Sequence, residues 1–344
     1  MSTPTWHMPI EGHQQERLWL AWPTGGYTLG ETEEEVRSAR ETWAAVANTA
    51  SEYQPVTVVV NPGDETVASQ YLSGQIAQHV APLDDAWMRD IGPTFVLDEA
   101  GTLGAVDWVF NGWGAQDWAS WDNDRHIGRI IAEATGATRI ESKMVNEGGG
   151  IQVDGTGRVV ITETVQLDPG RNPGWSREQV EAELARTIGT HDVLWLPRGL
   201  HRDSDEFGTR GHSDILVAFT SPETLLMHEQ RNASHPDHQI AKVNREVVER
   251  HRERTSGRYD IVNLPAPETL RDAEGFVDYS YINHVVINDA VIACSFDDPA
   301  DDHAAGVLRE LYPGREIRTV DARPLYARGG GIHCITQQQP VSGR

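Results

Sequence analysis

Strand-like apolar runs alternate with helical stretches along the whole chain, and that alternation most limits what it can fold into. Val56-Thr57-Val58-Val59-Val60 reads as a buried strand, and a second strand is predicted over 16–21. Between them Val36, Ala39, Trp43, Val46, Ala47 and Ala50 recur at helical spacing, behind Thr32 and three glutamates that suit a helix start. Further helices are predicted near 126–135, 177–188, 238–254 and 301–311. Pro236 and Asp237 open the fourth helix of the chain, and Asp301 and Asp302 suit the first turn of the last. Strands are predicted at 104–109, 151–154, 158–162, 193–196, 213–219, 224–228, 258–263, 284–287, 290–295, 316–320 and 331–336. No Pro/Ser/Gly-rich linker, low-complexity run or sequence repeat interrupts the pattern. Residues 1–344 therefore read as a single mixed α/β domain with ample material for a core.

A cysteine follows a glycine triplet in an apolar run at Gly329-Gly330-Gly331-Ile332-His333-Cys334-Ile335-Thr336. Glycines remove side-chain bulk and let a ligand approach the backbone. A strand over 331–336 puts Cys334 and Thr336 on one face and His333 and Ile335 on the other. Three other segments carry similar punctuation: Trp87-Met88-Arg89-Asp90-Ile91-Gly92-Pro93, Asn146-Glu147-Gly148-Gly149-Gly150, and Gly211-His212-Ser213-Asp214. If the last is a strand, His212 and Asp214 share a face. A thiol, an imidazole and three carboxylates thus fall at the ends of predicted strands. Each has a bland explanation: Asp90 as a turn former, Glu147 as a solvated acid, His212 with Asp214 as a satisfied core pair, Cys334 as a small strand residue. Five such coincidences are much less frequent than one.

Composition narrows the function. Lys and Arg number 29 against 52 Asp and Glu, a formal charge of −23. Such a field opposes phosphate backbones and anionic lipid surfaces, which argues against nucleic-acid or membrane partners, and it favours a small cationic substrate. Acidic surfaces also serve solubility alone. No run approaches the roughly 18 apolar residues of a membrane helix. Two cysteines and no visible signal peptide point to a reducing cytoplasm. Cys294, inside an apolar run, reads as an inert buried thiol. No Cys/His ligand spacing suggests a metal, no glycine pattern suggests a nucleotide, and no cofactor is expected. His235-Pro236-Asp237-His238 reads as a loop into a helix, and Asp203, Asp205 and Glu206 as a solvated acidic loop. A homo-oligomer is compatible with the sequence, which does not specify one.

With these residues the chain resembles the agmatine deiminase family of guanidine-modifying enzymes. The resemblance is carried by Ala21-Trp22-Pro23, Trp87 through Phe95, Glu147-Gly148-Gly149, Arg171-Asn172-Pro173, Trp195-Leu196-Pro197-Arg198-Gly199, Gly211-His212-Ser213-Asp214 and Gly331 through Gln338, in the family's order and across essentially the whole chain. It implies a five-bladed, pseudo-fivefold α/β propeller of ββαβ units around a central channel. Two departures stand out: Gly331 where the family has Asn, and a loose match over Tyr281-Ile282-Asn283-His284. Agmatine hydrolysis is the reaction implied. Another guanidino compound or amidino transfer is the near alternative, and a cysteine amidase or protease the alternative of another class. In this chemistry Cys334 is the nucleophile, and Asp90 and Asp214 grip the planar guanidinium through paired bonds. His212 serves as acid and then base, while Glu147 orients it and helps hold the guanidinium. Trp87 offers an aromatic face to the cation, and Gly331 alters the pocket wall.

The two cysteines separate under mutation. Cys334→Ser abolishes turnover while Cys294→Ser leaves it largely intact, as a steady-state ammonia-release assay of both purified variants checks; substantial activity in Cys334→Ser removes the thiol from the chemistry.

Overall fold

Five small sheets repeat one connection, in the computed structural model that describes residues 5–255 and 257–343. In each unit a first strand pairs antiparallel with a second. A helix then crosses over to a third strand parallel to the second, the connection that parallel pairing requires. The first unit comprises Thr94–Asp98, Leu103–Val109, helix Ile127–Thr135 and Thr138–Val145. The second comprises Gln152–Val153, Arg158–Thr162, helix Arg177–Ile188 and Asp192–Leu196. The third comprises Val217–Ser221, Thr224–Glu229, helix Pro236–Arg254 and Asp260–Pro265. The fourth comprises Val285–Val286, Ala290–Ser295, helix Asp301–Leu311 and Glu316–Asp321.

The last unit joins the two ends of the chain. Thr336–Pro340 pairs antiparallel with Gln15–Ala21, Thr336 opposite Leu20, and helix Glu33–Ser51 leads to Val56–Val60. Thr32 caps that helix as its sequence suggests: its hydroxyl accepts from Glu35 N while the Glu35 carboxylate takes Thr32 N. Trp43, Val46, Ala47 and Ala50 form its buried face. Apolar clusters fill the seams between neighbouring units; Val160, Leu194 and Leu196 of the second meet Val217, Leu225 and Met227 of the third. Among the described residues, no helix is long and apolar enough to cross a membrane.

Two predicted strands are displaced, and both displacements set the site. Residues 332–335 form a turn, and the strand begins only at Thr336. The His333 amide donates to Asn283 Oδ1 (3.0 Å), and the Thr336 hydroxyl donates to the carbonyls of His333 (3.0 Å) and Ile332 (3.2 Å). Alternation of Cys334 with His333 across a sheet therefore does not apply. Residues Ser213–Ile215 likewise form a 3₁₀ turn ahead of a strand that begins at Val217. That turn sends His212 and Asp214 to different partners instead of one shared face.

Candidate active site

Each unit is preceded by a short turn, and the five turns bring their polar side chains together. Asp90 lies in the turn Met88–Ile91, Glu147 leads into Gly148–Gly150, and His212 and Asp214 flank and enter Ser213–Ile215. Asn283 precedes Val285–Val286, and Cys334 precedes Thr336–Pro340. All six are almost wholly buried. The five residues singled out in the sequence thus converge, and Asn283 completes the set. Its amide nitrogen donates to Cys334 Sγ (3.4 Å) and to the Asp214 carbonyl (3.3 Å). The sequence signal for Asn283 was present in Tyr281-Ile282-Asn283, but a lone asparagine before an apolar run carries little weight.

Two charge arrangements face one another. On one side Glu147 accepts both the Arg171 Nε–H, at 3.0 and 3.1 Å, and a contact from His212 Nε2 at 3.3 Å. Burial alone raises Glu147, but Arg171 and His212 outweigh it, and its pKa falls to about 2. Burial pulls His212 down, yet Asp90 and Glu147 overcome this and raise it to about 9, so it carries a proton at neutral pH. Its Nδ1 stands 3.8 Å from Asp90 Oδ1 with no hydrogen-bond partner. A side chain at Gly149 would overlap that ring, so the middle glycine of this triplet admits the imidazole.

On the other side the thiol sits among acids. Cys334 Sγ lies 3.6 Å from Asp214 Oδ2, while Asp214 Oδ1 is buried without a partner. Burial first, then the charges of Asp214 and Asp90, push the Cys334 thiol well above its ordinary range. Asp90 accepts from Gly149 N (3.2 Å) and from the Trp113 indole (2.8 Å), and burial lifts it to about 6. Trp113 adopts a left-handed backbone (φ 55°), a conformation costing about 1–3 kcal/mol for such a residue, held here by its bond to Asp90 and its stack on Trp118. Trp87, Trp113, Trp118 and Phe207 line the cavity beside Asp90 and Cys334. Trp87 also donates to Thr28 Oγ1 and packs edge-on against Trp43, so it faces the cavity and the core at once.

Three expectations change. Gly331 is not in the lining of that cavity and touches the thiol through its backbone; a side chain there would overlap Asn283 Oδ1 and approach the Tyr326 ring. Glu147 has Arg171 and His212 around its oxygens, which makes it a support for His212 and leaves it poorly placed to grip a guanidinium. Asp203 is buried, not solvated: its Oδ1 accepts from Thr209 N and Oγ1, both at 2.7 Å.

This is the α/β propeller of the guanidine-modifying enzymes that the resemblance implied. The chain belongs to the Porphyromonas-type peptidyl-arginine deiminase family, which it matches over residues 7–340. Curated relatives that it matches over nearly their whole length are named agmatine deiminases. A Streptomyces coelicolor protein provisionally named as one is 50% identical, covering 98% of this chain and 99% of its own. The agmatine deiminase of Stutzerimonas stutzeri is 35% identical over 99% of this chain and 98% of its own. The solved agmatine deiminase of Enterococcus faecalis superposes with a TM-score of 0.90 at 28% identity, covering 98% and 96%.

Arg171 is the support that makes the buried Glu147 tolerable. Arg171→Met leaves an undercompensated buried carboxylate and costs about 3–5 kcal/mol in urea unfolding. The double variant with Glu147→Gln loses clearly less than the sum of the single changes, because the two side chains are coupled; additive losses contradict the pairing.

Proposed function

We propose that this chain hydrolyses agmatine to N-carbamoylputrescine and ammonia through a covalent intermediate on Cys334. One observation carries the reading: a buried thiol sits against carboxylates, one of which, Asp214, keeps an oxygen without a partner. Asp214 Oδ1 has no partner and the nearest cation to Asp90, His212, stands 3.8 Å away, so both acids have room for a further cation. A guanidinium supplies it, with planar N–H pairs that suit Asp90 and Asp214.

The sign of the electrostatics sets the order of events. In the free site burial first, and then the acids, hold the thiol protonated. As the cation enters, it cancels their field, the thiol proton leaves to solvent, and the thiolate faces the guanidinium carbon. Attack forms the S–C bond and a neutral tetrahedral adduct. Protonated His212 gives its proton to the amino group, the C–N bond breaks, and ammonia departs from a thiouronium. Neutral His212 then takes a proton from water, whose oxygen attacks the same carbon. Collapse breaks the S–C bond as the adduct's hydroxyl proton passes to the departing sulfur, yielding the neutral ureido product and restoring the thiol.

The mouth of the cavity supports agmatine over arginine. Phe207, stacked on Tyr27 at 3.9 Å, separates the inner cavity from an outer vestibule lined by Asp203, Asp205, Glu206 and Asp278. Burial and the charge of Asp203 lift Asp278 to about 7. Arg202 in that wall is bound to Asp272 and Glu274, and Arg271 lies over the Phe276 ring, against the five acids Asp203, Asp205, Glu206, Glu274 and Asp278 of the same lining. Such a vestibule receives an ammonium and repels arginine's carboxylate.

Profiles of kcat/KM against pH for agmatine and arginine test this. Agmatine has the higher value, with an acid limb near 6 where Asp90 takes a proton and can no longer hold the cation. An alkaline limb near 9 follows as His212 loses the proton it must donate. Arginine matching agmatine sinks the substrate assignment; absence of turnover on any guanidino compound sinks the chemistry.

A further inference from the structure

Behind Asp214 lies a buried chain that the mechanism above leaves unused. Asp214 Oδ2 receives His333 Nδ1 at 2.8 Å, and His333 Nε2 reaches Glu11 Oε2 at 2.7 Å. The other Glu11 oxygen accepts from Val286 N at 2.8 Å. His333 and Asp214 are buried, and Glu11 is nearly so, with 15% of its side chain exposed. Both imidazole nitrogens of His333 therefore face carboxylate oxygens. A neutral ring would turn a lone pair towards one of them, so the geometry calls for a donor at each nitrogen, which only the imidazolium provides. Other charged or titratable groups around it are Arg89, whose Nε donates to the His333 carbonyl (3.4 Å), His284 and Cys334 itself.

We propose that Glu11 and His333 are positioning residues of this site, a carboxylate–imidazolium pair that fixes Asp214 through Oδ2 and leaves Oδ1 for the substrate cation. The proposal rests on the guanidine-hydrolase reading. Three features make it more than a structural ion pair. The fixed oxygen is the one facing the thiol, at 3.6 Å, and the oxygen left over has no partner. His333 also sits directly before Cys334 in the chain, and its amide is held by Asn283 Oδ1 (3.0 Å), the same residue whose amide group contacts the sulfur. Glu11 comes from the other end of the chain and ties that turn down. Burial disfavours charge on His333, but Glu11 and Asp214 more than restore it and raise its pKa. Asp214 thereby stays ionised and cannot rotate away to satisfy Oδ1 elsewhere.

The test compares alkylation of Cys334 by a cationic haloacetamidine and by neutral iodoacetamide, in the full chain and in Glu11→Gln and His333→Gln. The wild type reacts with the cationic reagent at least tenfold faster. Both variants lose most of that preference while their rates with the neutral reagent change less than threefold, and agmatine turnover falls chiefly through KM. A folded variant that keeps the full cationic preference overturns the positioning role and leaves the hydrolase reading standing. A wild type without any cationic preference and without ammonia release overturns the hydrolase reading, and this proposal with it. Should neither variant fold, the wild type still decides: nitrogen NMR at pH 7.5 shows His333 protonated at both nitrogens, and a neutral ring overturns the proposal.

Discussion

Four carboxylates, those of Glu11, Asp90, Glu147 and Asp214, share one site with little or no access to water, Asp214 against the thiol and Glu11 behind it, and the rest of the site answers that constraint. A buried acid without compensation costs several kcal/mol. Arg171 and His212 compensate Glu147, while His333 lies between Glu11 and Asp214. Arg89, itself buried, adds a positive charge behind the thiol and is anchored to Gln338 at 2.7 Å. On the proposed reading, Asp90 and the unpartnered oxygen of Asp214 receive the substrate cation.

The fold meets the constraint by repetition. One connection recurs five times, and each time the turn before the first strand delivers a polar side chain, so five distant chain segments meet without a long loop. Rigid packing holds each turn: the Arg89 amide donates to the Cys334 carbonyl (3.0 Å), tying the first unit to the terminal one. Pairing of Thr336–Pro340 with Gln15–Ala21 then fixes Glu11 and Cys334, from opposite chain ends, on a common frame.

Much of this was legible in the sequence, and the misses have physical causes. Helical periodicity located all five crossover helices, because each buries one regular apolar face. The strand Thr336–Pro340 escaped because Gln337, Gln338 and Gln339 look solvent-facing; they are buried, with Gln339 accepting from the Trp19 indole at 2.9 Å. Thr138–Val145 hides Ile140, Ser142 and Met144 behind charged neighbours, so its apolar content is thin. Glycine-flanked acids and the Gly-rich cysteine segment pointed to the residues that the structure brings together. Arg171, Glu11 and His333 were not read as part of the site, since their importance lies in partners far along the chain: Glu11 and His333 are 322 residues apart.

Covalent attachment at Cys334 is the claim on which the account stands. Acid quenching during turnover with agmatine, followed by mass spectrometry of the peptides, tests it directly. The account predicts an adduct containing the substrate's amidine carbon on the peptide bearing Cys334, and none on the peptide bearing Cys294. Steady consumption of agmatine with Cys334 unmodified at every quench time, or an adduct confined to Cys294, would contradict it.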